Sequence, residues 1–275
     1  MLLFPNCKIN LGLRIVSKRP DGYHDIETVM YPVKNLCDVL EILRYDCEDI
    51  EFSVSGMRID GAVEKNICLK AYRVVQREYP QVRGVYMHLH KAIPMGAGLG
   101  GGSSDAAYVI RELSDLFGLG IDQSQMERMA SEVGSDVPFF VANRPALATG
   151  RGERLEPVDR LLAGWQLVLV KPPISVGTAE AYAGVTPYRS ENLLTDILYR
   201  TPIEQWRERV VNDFEPSVFA RYPVIARIKS DLYRLGAVYA SMSGSGSTVF
   251  GIFDRAENVD LSCFQDMFVH HEVLE

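Results

Sequence analysis

The sequence predicts a protein of the α+β or α/β class with two domains. Strand-like and helix-like segments interleave along both halves of the chain. A length of 275 residues suits one large domain or two moderate ones, and 47% apolar residues can supply cores of that size. The sequence pattern changes after residues 150–152, so we place a boundary near residue 155 and expect domains at 1–155 and 156–275.

The first part of the chain predicts several strands and one helix. Residues 8–16 alternate polar and apolar side chains, which is typical of a half-buried strand, and the turn at residues 20–22 ends it. Residues 67–79 place apolar side chains at helical spacing. Further strands are predicted at 39–43, 50–54 and 85–89.

The most informative segment is a glycine-rich loop that leads directly into a helix. The loop reads Pro94-Met95-Gly96-Ala97-Gly98-Leu99-Gly100-Gly101-Gly102-Ser103-Ser104. In the helix, one face carries Ala106, Val109, Ile110, Leu113 and Phe117. We expect Ser103 or Ser104 to be the N-cap of this helix and Gly118 to end it.

The glycine loop has the chemistry of a phosphate site. Five glycines within seven residues let the main chain approach a ligand without side chains in the way. At the start of a helix, unpaired N–H groups and the positive end of the helix dipole attract anions. Lys91, just upstream, adds a positive charge. Glycines that serve only tight turns are the alternative, but their density beside a serine-capped helix favours phosphate binding.

Two common phosphate-binding patterns fit this loop poorly. The spacing Gly96-x-Gly98-x-x-Gly101, with Asp122 about 20 residues on, satisfies a dinucleotide-binding fingerprint. However, four residues separate the preceding strand from the glycines, and Asp122 precedes a helix instead of ending a strand. The Walker pattern is absent, because no Lys-Ser or Lys-Thr pair follows the glycines.

Three further features carry polar chemistry. Lys8 and Asn10 lie two residues apart on the first predicted strand, so their side chains point the same way. Asp136 lies between two helical segments, and residues 243–247 (Ser-Gly-Ser-Gly-Ser) form a second small-residue loop. The residues alone leave two readings open, because a strand lysine is often solvated and Asp136 also suits a helix cap before Pro138.

The remaining elements are predicted with less local support. A helix is expected at 124–133 and a short element opens at 136–138. In the second half we predict strands at 166–170 and 248–253, a helical start at 178–182 and a helix at 224–235.

Composition and charge disfavour several functions. A net charge of −7 is unfavourable for wrapping a nucleic acid. Five cysteines without a C-x-x-C pair indicate a reducing compartment and argue against structural zinc. We find no signal peptide and no membrane-length apolar run, so we expect a cytoplasmic protein without nucleic-acid or membrane partners. His88 and His90 are interpreted as ordinary strand residues, and His270-His271 as a solvated tail.

The motifs resemble those of the GHMP small-molecule kinases. The resemblance rests on the Lys-x-Asn-Leu strand, the glycine loop with its two serines and the late Ser-Gly-Ser-Gly-Ser loop. Residues 20–28 (Pro-Asp-Gly-Tyr-His-Asp-Ile-Glu-Thr), 134–140 and 212–216 further resemble the branch of that family that acts on a cytidine-diphosphate-linked methylerythritol. The resemblance follows the chain in order over nearly its whole length.

The resemblance implies a fold and a reaction. The fold would be α+β, with an N-terminal domain like domain 2 of ribosomal protein S5 and a ferredoxin-like C-terminal domain. The enzyme would use ATP and Mg²⁺ to phosphorylate the 2-hydroxyl of that small-molecule substrate, on the methylerythritol phosphate route to isoprenoid precursors. The metal ligands stay open, with Ser104 and Asp105 as candidates, and so does the oligomeric state.

The resemblance also implies roles for individual residues. Asp136 would accept the proton of the substrate hydroxyl, and Lys8 would hold that hydroxyl and offset the developing charge. Tyr23 would stack on the cytosine, His24 would hydrogen-bond its edge and Tyr182 would cover the other face of the ring. The implied ATP-binding residues are Asn66, Lys91 and residues 94–104, and the implied substrate-binding residues also include Asn10 and Thr178.

Three other functions stay open. Another kinase of the same family, acting on mevalonate or homoserine, would give Tyr23 and His24 no base to recognise. A nicotinamide-dependent oxidoreductase would use the glycine loop for its dinucleotide and would show hydride transfer. A non-catalytic nucleotide-binding module would not need Lys8 and Asp136.

Overall fold

The computed structural model describes residues 1–59, 62–188, 193–255 and 258–275. These residues fold as two units, each assembled from separate stretches of the chain. The first unit comprises residues 1–7, 35–95 and 100–144, and the second comprises residues 8–34, 96–99 and 145–275. The chain therefore passes between the units more than once. The division of the sequence at residue 155 stays a prediction.

Strands and helices alternate along the chain. The strands are β1 (Leu2–Leu3), β2 (Asn6–Lys18), β3 (His24–Cys37), β4 (Val39–Arg44), β5 (Ile50–Gly56), β6 (Val85–Lys91), β7 (Ala146–Thr149), β8 (Arg154–Pro157), β9 (Gln166–Lys171), β10 (Tyr239–Met242), β11 (Val249–Phe253) and β12 (Phe268–Val273). The helices are α1 (Ile67–Glu78), α2 (Gly101–Phe117), α3 (Gln123–Val133), α4 (Val137–Ala142), α5 (Thr178–Ala183), α6 (Leu194–Arg200), α7 (Glu215–Arg221) and α8 (Pro223–Arg234). The α+β class is confirmed, and each predicted strand and helix lies on an observed one.

The first unit is a mixed sheet with helices α1 to α4 packed together beside it. The strand order is β1-β4-β6-β5, in which β5 and β6 are parallel and the other pairs are antiparallel. Helix α2 buries the predicted apolar face at Ala106, Val109, Ile110 and Leu113. Each such aliphatic side chain stabilises the fold by about 1.5–3 kcal/mol when fully buried, alanine by less.

Helix α2 begins earlier than the sequence predicts. It starts at Gly101, and its N-cap is Gly100 in the left-handed conformation, with φ of 70° and no capping side chain. The expected cap at Ser103 or Ser104 is therefore wrong. The predicted end is confirmed, because Gly118 is the C-cap with φ of 60°.

The second unit contains two four-stranded sheets. One has the order β2-β3-β7-β8 and the other the order β10-β11-β9-β12. Helix α8 packs on the second sheet through Ile225, Ile228 and Leu232, which recur at helical spacing and are fully buried. The hydrophobic core that these three side chains belong to also includes Val168 and Val170 of β9.

The C-terminal segment is a strand instead of a solvated tail. Strand β12 pairs antiparallel with β9, and His270 lies opposite Leu169. The Nε2 atom of His270 lies 2.8 Å from Glu272, and Glu272 accepts a hydrogen bond from the Lys34 amide. No helix in the described part of the chain is long and apolar enough to cross a membrane.

Candidate functional site

The glycine loop packs against the second small-residue loop. Residues 96–99 lie in the second unit, and the Gly98 carbonyl accepts a 2.8 Å hydrogen bond from the Ser243 hydroxyl. Gly98 has a φ of +72°, and a Cβ there would lie 1.9 Å from the Ser243 carbonyl oxygen. Only glycine fits this approach. Residues 243–247, the small-residue motif of the sequence, thus support the glycine loop.

Lys8 is held against the same loop by the main chain and by its side chain. The Lys8 amide donates to the Leu99 carbonyl at 2.9 Å, and Nζ donates to the Gly98 carbonyl at 3.2 Å. Nζ also donates to Asn10 Oδ1. Lys8 is buried, with 3% of its surface exposed, so it is not a solvated strand lysine. Its amine lies beside the loop that is predicted to bind phosphate.

Asn10 is a buried link between Lys8 and the next strand. Its Nδ2 atom donates to Thr28 Oγ1 at 3.1 Å, and that hydroxyl donates to the Gly12 carbonyl at 2.5 Å. Both atoms of the Asn10 amide are therefore engaged within the protein. This arrangement fixes the Lys8 amine, while the substrate contact expected of Asn10 stays a prediction.

Asn212 is a residue of this site to which sequence reasoning gave no role. Its Nδ2 atom donates to the carbonyls of Met242, at 2.7 Å, and Gly244, at 2.8 Å. Its Oδ1 atom accepts from the Phe214 amide at 3.0 Å. Asn212 thereby fixes the small-residue loop that supports Gly98. The motif at residues 212–216 carried the family resemblance, and that was the available signal.

In the first unit, three chain segments converge on Ile67. A Cβ on Gly102, in the first turn of α2, would lie 3.6 Å from Ile67 Cγ2, and one on Gly134 would lie 4.0 Å from Ile67 Cδ1. Asn66 precedes Ile67 and caps α1, since its Oδ1 atom accepts from the Cys68 amide at 2.9 Å. The structure therefore brings Asn66, the start of α2 and the segment before Asp136 together.

The start of α2 offers main-chain donors. The first amides of any helix lack partners within it, and here no side chain caps them. Gly101 lets the Ile93 side chain pack closely against the start of α2, since a Cβ on Gly101 would lie 2.9 Å from Ile93 Cγ2. Met95 and Gly96 of the preceding loop are exposed, whereas Pro94, Ala97 and Leu99 are buried. The main chain of the glycines and the positive end of the helix dipole thus provide what an anion site requires.

Asp136 occupies the N-cap position of α4 without acting as a cap. Its φ and ψ are −86° and −9°, and its side chain makes no capping hydrogen bond. It is half-buried, and Pro138 lies in the first turn of the helix. The contrast is Asp122, which caps α3 and forms a capping box with Gln125 at 2.8 and 3.2 Å. Helix capping therefore does not engage the Asp136 carboxylate.

Lys91 does not lie free beside the glycine loop. Its Nζ atom donates to Asp38 and, at 2.9 Å, to Asp105, and all three residues are buried. Burial lowers the pKa of Lys91, but Asp105 and Asp38 raise it by more, so the amine stays charged. Burial also raises the pKa of Asp105 to about 8, because Lys91 offsets only part of the effect and Asp38 adds to it.

Three buried side-chain oxygens near the loop have no partner among the described residues. They are the Ser104 hydroxyl, Asp105 Oδ1 and the hydroxyl of Thr248, whose amide donates to the Ala97 carbonyl at 3.2 Å. No group of three or more histidine, cysteine, aspartate or glutamate side chains in the described part of the chain could hold a metal ion.

A separate cluster of rings surrounds His24. Its imidazole stacks on Tyr182 with ring centroids 4.8 Å apart, and Tyr182 meets the edge of Phe214, also at 4.8 Å. Tyr23 is 56% exposed and carries the Arg151 guanidinium over one face, 5.1 Å from its centroid. His24 thus covers one face of Tyr182, and the stacking of cytosine on Tyr182 stays a prediction. The exposed position of Tyr23 agrees with the turn that precedes it.

Ion pairs stabilise the turn that precedes Tyr23 and His24. Arg19 pairs with Asp21 at 3.1 Å and with Asp25 at 3.0 Å. The Tyr23 amide and, less strongly, Arg19 hold the pKa of Asp21 below its usual range. Hydrogen bonds from Ser17 and Arg19 lower the pKa of Asp25. Thr178 is the exposed first residue of α5, the helix that also carries Tyr182.

The two strand histidines bond to a neighbouring strand. His88 lies 2.7 Å from the Ser53 hydroxyl and 2.9 Å from the Ser55 hydroxyl, and His90 lies 2.9 Å from Ser55. Both histidines belong to β6, whose partner β5 carries the serines. They lie on a strand, as predicted, and the structure adds that they bond to serines of β5.

Comparison with known proteins decides the family. The model of the GHMP kinases N-terminal domain matches residues 66–144, and that of the GHMP kinases C-terminal domain matches residues 198–262. A 4-diphosphocytidyl-2-C-methyl-D-erythritol kinase of Parabacteroides distasonis is 50% identical over 272 residues, covering 98% of each chain. The chain belongs to the GHMP kinase family. It is accordingly a small-molecule kinase with ATP as co-substrate.

Further relatives of this GHMP kinase support the same family assignment. A protein of the same name from Bacteroides thetaiotaomicron is 47% identical over 256 residues, covering 92% of each chain. The crystal structure of a 4-(cytidine 5'-diphospho)-2C-methyl-D-erythritol kinase superposes with a TM-score of 0.77 at 32% identity, covering 92% of this chain and 90% of the other. The dinucleotide alternative fails, because its acidic residue, Asp122, caps α3 and the sheet of the first unit is mixed.

Proposed function

We propose that this GHMP kinase transfers the γ-phosphoryl group of ATP to the 2-hydroxyl of 4-diphosphocytidyl-2-C-methyl-D-erythritol. The product would lie on the methylerythritol phosphate route to isoprenoid precursors. The observation that carries the proposal is the 50% identity to a kinase of that name over 98% of both chains. The exposed Tyr23 and the half-buried His24 support it, because a base can be stacked and hydrogen-bonded there.

Main-chain groups would hold the triphosphate of ATP. The helix start at Gly101 and Gly102 supplies N–H donors and the positive end of a helix dipole. The contacts of Gly98 with Ser243 fix the preceding part of the loop before ATP arrives. Asn66 borders the start of α2 through Ile67, which supports its assignment to the nucleotide.

Asp136 and Lys8 would serve the reacting hydroxyl. The hydroxyl oxygen forms a bond to the γ-phosphorus, the bond from phosphorus to the β–γ bridging oxygen breaks, and ADP leaves. The hydroxyl proton passes to the Asp136 carboxylate, which capping does not engage. A carboxylate can serve as this base because the proton leaves late in a loose transition state. The Lys8 amine, held by Asn10 and Gly98, offsets the charge on the oxygen.

Mg²⁺ would accompany ATP and neutralise charge on the transferred group. The Ser104 hydroxyl is the better candidate ligand, because it lies in the first turn of α2 and has no partner among the described residues. Asp105 is the poorer candidate, since its Oδ2 atom already accepts from Lys91.

The activity is tested by ADP release with a panel of alcohols. ATP and Mg²⁺ are supplied with the cytidine-diphosphate-linked methylerythritol, mevalonate or homoserine. We expect kcat/KM to be at least about 1,000-fold higher for the first, because sites that hydrogen-bond a base reject ligands without one. Equal or higher kcat/KM for mevalonate or homoserine would refute the proposed substrate.

Replacing His24 by alanine should raise KM for the cytidine substrate by about tenfold, the cost of one lost polar contact to the base. KM for ATP should change by less than about twofold, since no nucleotide phosphate is assigned to His24. Initial rates at varied concentrations of each substrate measure both constants. His271→Ala is the matched control, because this exposed histidine of β12 should change neither. Equal increases in both constants would remove His24 from the cytidine site.

Replacing Gly102 by alanine should separate folding from ATP binding. Among the described residues the new Cβ would meet only Ile67 Cγ2, at 3.6 Å, and alanine favours a helix, so the melting temperature should not fall. ATP binding should weaken by about tenfold, because the methyl group blocks the approach of phosphate to the main chain. Calorimetric titration with ATP measures this, and unchanged affinity would place the phosphates elsewhere.

A further inference from the structure

Asp38, Lys91 and Asp105 form a buried charge cluster that no step of the proposed reaction uses. Asp38 is fully buried, Asp105 is 1% exposed and Lys91 is 4% exposed. Lys91 ends β6, Asp38 links β3 to β4 and Asp105 lies near the start of α2. The cluster therefore ties three elements of the first unit together, two of which flank the glycine loop.

The cluster fixes the chain where the glycine loop begins. Asp38 Oδ1 accepts from the amides of Ala92, at 2.7 Å, and Ile93, at 2.8 Å, while Oδ2 accepts from Lys91 Nζ. A carboxylate that accepts several donors of this kind is strongly held in place. The two residues that follow β6 thus have their main chain anchored to Asp38.

The same cluster fixes the chain where the loop ends. Lys91 Nζ donates to Asp105 Oδ2 at 2.9 Å, one turn into α2. The start of the helix also packs on this anchor, because a Cβ on Gly101 would lie 2.9 Å from Ile93 Cγ2 and 3.4 Å from Asp38 Oδ2. The entry and the exit of the loop are therefore in contact, and the three charged side chains hold them there.

Lys91 is what makes the two carboxyl groups tolerable in the interior. A buried carboxylate without a partner is unfavourable, and here one amine lies between two of them. Burial raises the pKa of Asp105, and the positive charge of Lys91 opposes that effect. Asparagine has the size and shape of aspartate, and its amide oxygen can still accept a hydrogen bond from Lys91.

We infer that Asp38, Lys91 and Asp105 are positioning residues that hold the ends of the ATP loop in register, and that Lys91 acts on ATP through Asp105 instead of touching phosphate. The inference rests on the proposed use of this loop for ATP. It differs from the expectation from sequence, in which Lys91 supplied a charge to the phosphates. The amine has two carboxylate partners and almost no exposed surface, which fits anchoring.

The test is a double-mutant cycle on ATP affinity. Lys91→Met, Asp105→Ala and the double variant are titrated with ATP and Mg²⁺ in a calorimeter, and thermal melts confirm that each is folded. We expect each single variant to bind ATP about tenfold more weakly and the double variant no more weakly than the worse single, because both substitutions remove the same hydrogen bond between Lys91 and Asp105. Losses that add, as for a direct phosphate contact by Lys91, would overturn the inference.

Asp105→Asn keeps the test decisive if Lys91→Met does not fold. It should bind ATP within about twofold of the wild type, because the neutral amide still accepts from Lys91. KM for the alcohol substrate should be unchanged in every variant. A loss in Asp105→Asn as large as in Asp105→Ala would overturn the inference, since it would make the negative charge itself the essential feature.

Glu132→Ala is the matched control for loss of an ion pair. Glu132 pairs with Arg77 at 2.7 Å on the surface of the same unit, and its removal should leave ATP affinity unchanged. ATP affinity is measured without the alcohol substrate. If the proposed alcohol substrate is wrong, the activity panel will show it, whereas the ATP affinities of these variants will still test the inference.

Discussion

Replacing Asp136 by asparagine is expected to lower kcat by about 100-fold or more, the lower range for a positioned general base. Asparagine has the size of aspartate but accepts no proton, so the transfer from the substrate hydroxyl is lost. Folding should be unaffected, because asparagine keeps the shape of the side chain and is favoured at an N-cap position. ATP affinity should also persist. Single-turnover kinetics and calorimetry measure the two effects separately.

The matched control is Asp122→Asn. Asp122 is also an aspartate at a helix N-cap of the first unit, but its side chain caps α3. Asparagine caps helices as well as aspartate does, so this variant should keep both its stability and its kcat. If Asp136→Asn keeps near-normal turnover while Asp122→Asn behaves as expected, Asp136 is not the base.

Replacing Gly98 by alanine is expected to abolish tight ATP binding and to reduce kcat/KM by about 100-fold, the penalty for a displacement of order 1 Å in a reacting site. The Cβ would lie 1.9 Å from the Ser243 carbonyl oxygen and 2.8 Å from its carbon, so one of the two loops must move. The φ of +72° adds a strain of about 1–2 kcal/mol for alanine. The melting temperature should therefore fall as well.

Gly120→Ala separates the backbone strain from the steric clash. Gly120 has a φ of +65°, and a Cβ there would meet nothing within 4 Å among the described residues. This variant should show a small decrease in melting temperature and normal ATP affinity. Normal ATP affinity in Gly98→Ala would contradict the account, because it would mean that the packing of the two loops does not shape the ATP site.

The sequence predicts the elements whose signal is local. Helix α2 has a regular apolar face and ends at a glycine, and β6 alternates clearly, so both were found from their own residues. Strand β12 was taken for a tail, because its two histidines and a glutamate hide the alternation. Its pairing with β9, about a hundred residues earlier in the sequence, is not encoded locally.

The candidate site, too, has parts that local sequence predicts and parts that it does not. The glycine loop was identified from residue type and spacing, whereas the roles of Lys8 and Asp136 came from the family resemblance. The structure places Lys8 against Gly98. Sequence spacing could not reveal the carboxylate partners of Lys91, because Asp38 lies 53 residues away. The cap of α2 was misplaced because serine is a common N-cap, whereas Gly100 adopts a conformation that only the packing around the loop explains.

The most direct test of the account is the structure of the product. The protein is incubated with ATP, Mg²⁺ and the cytidine-diphosphate-linked methylerythritol, and the product is analysed by mass spectrometry and by phosphorus and carbon NMR. The account predicts one added phosphoryl group and carbon–phosphorus coupling at the carbon that bears the 2-hydroxyl. Coupling at another carbon, or recovery of unmodified substrate from a protein that binds ATP, would contradict it.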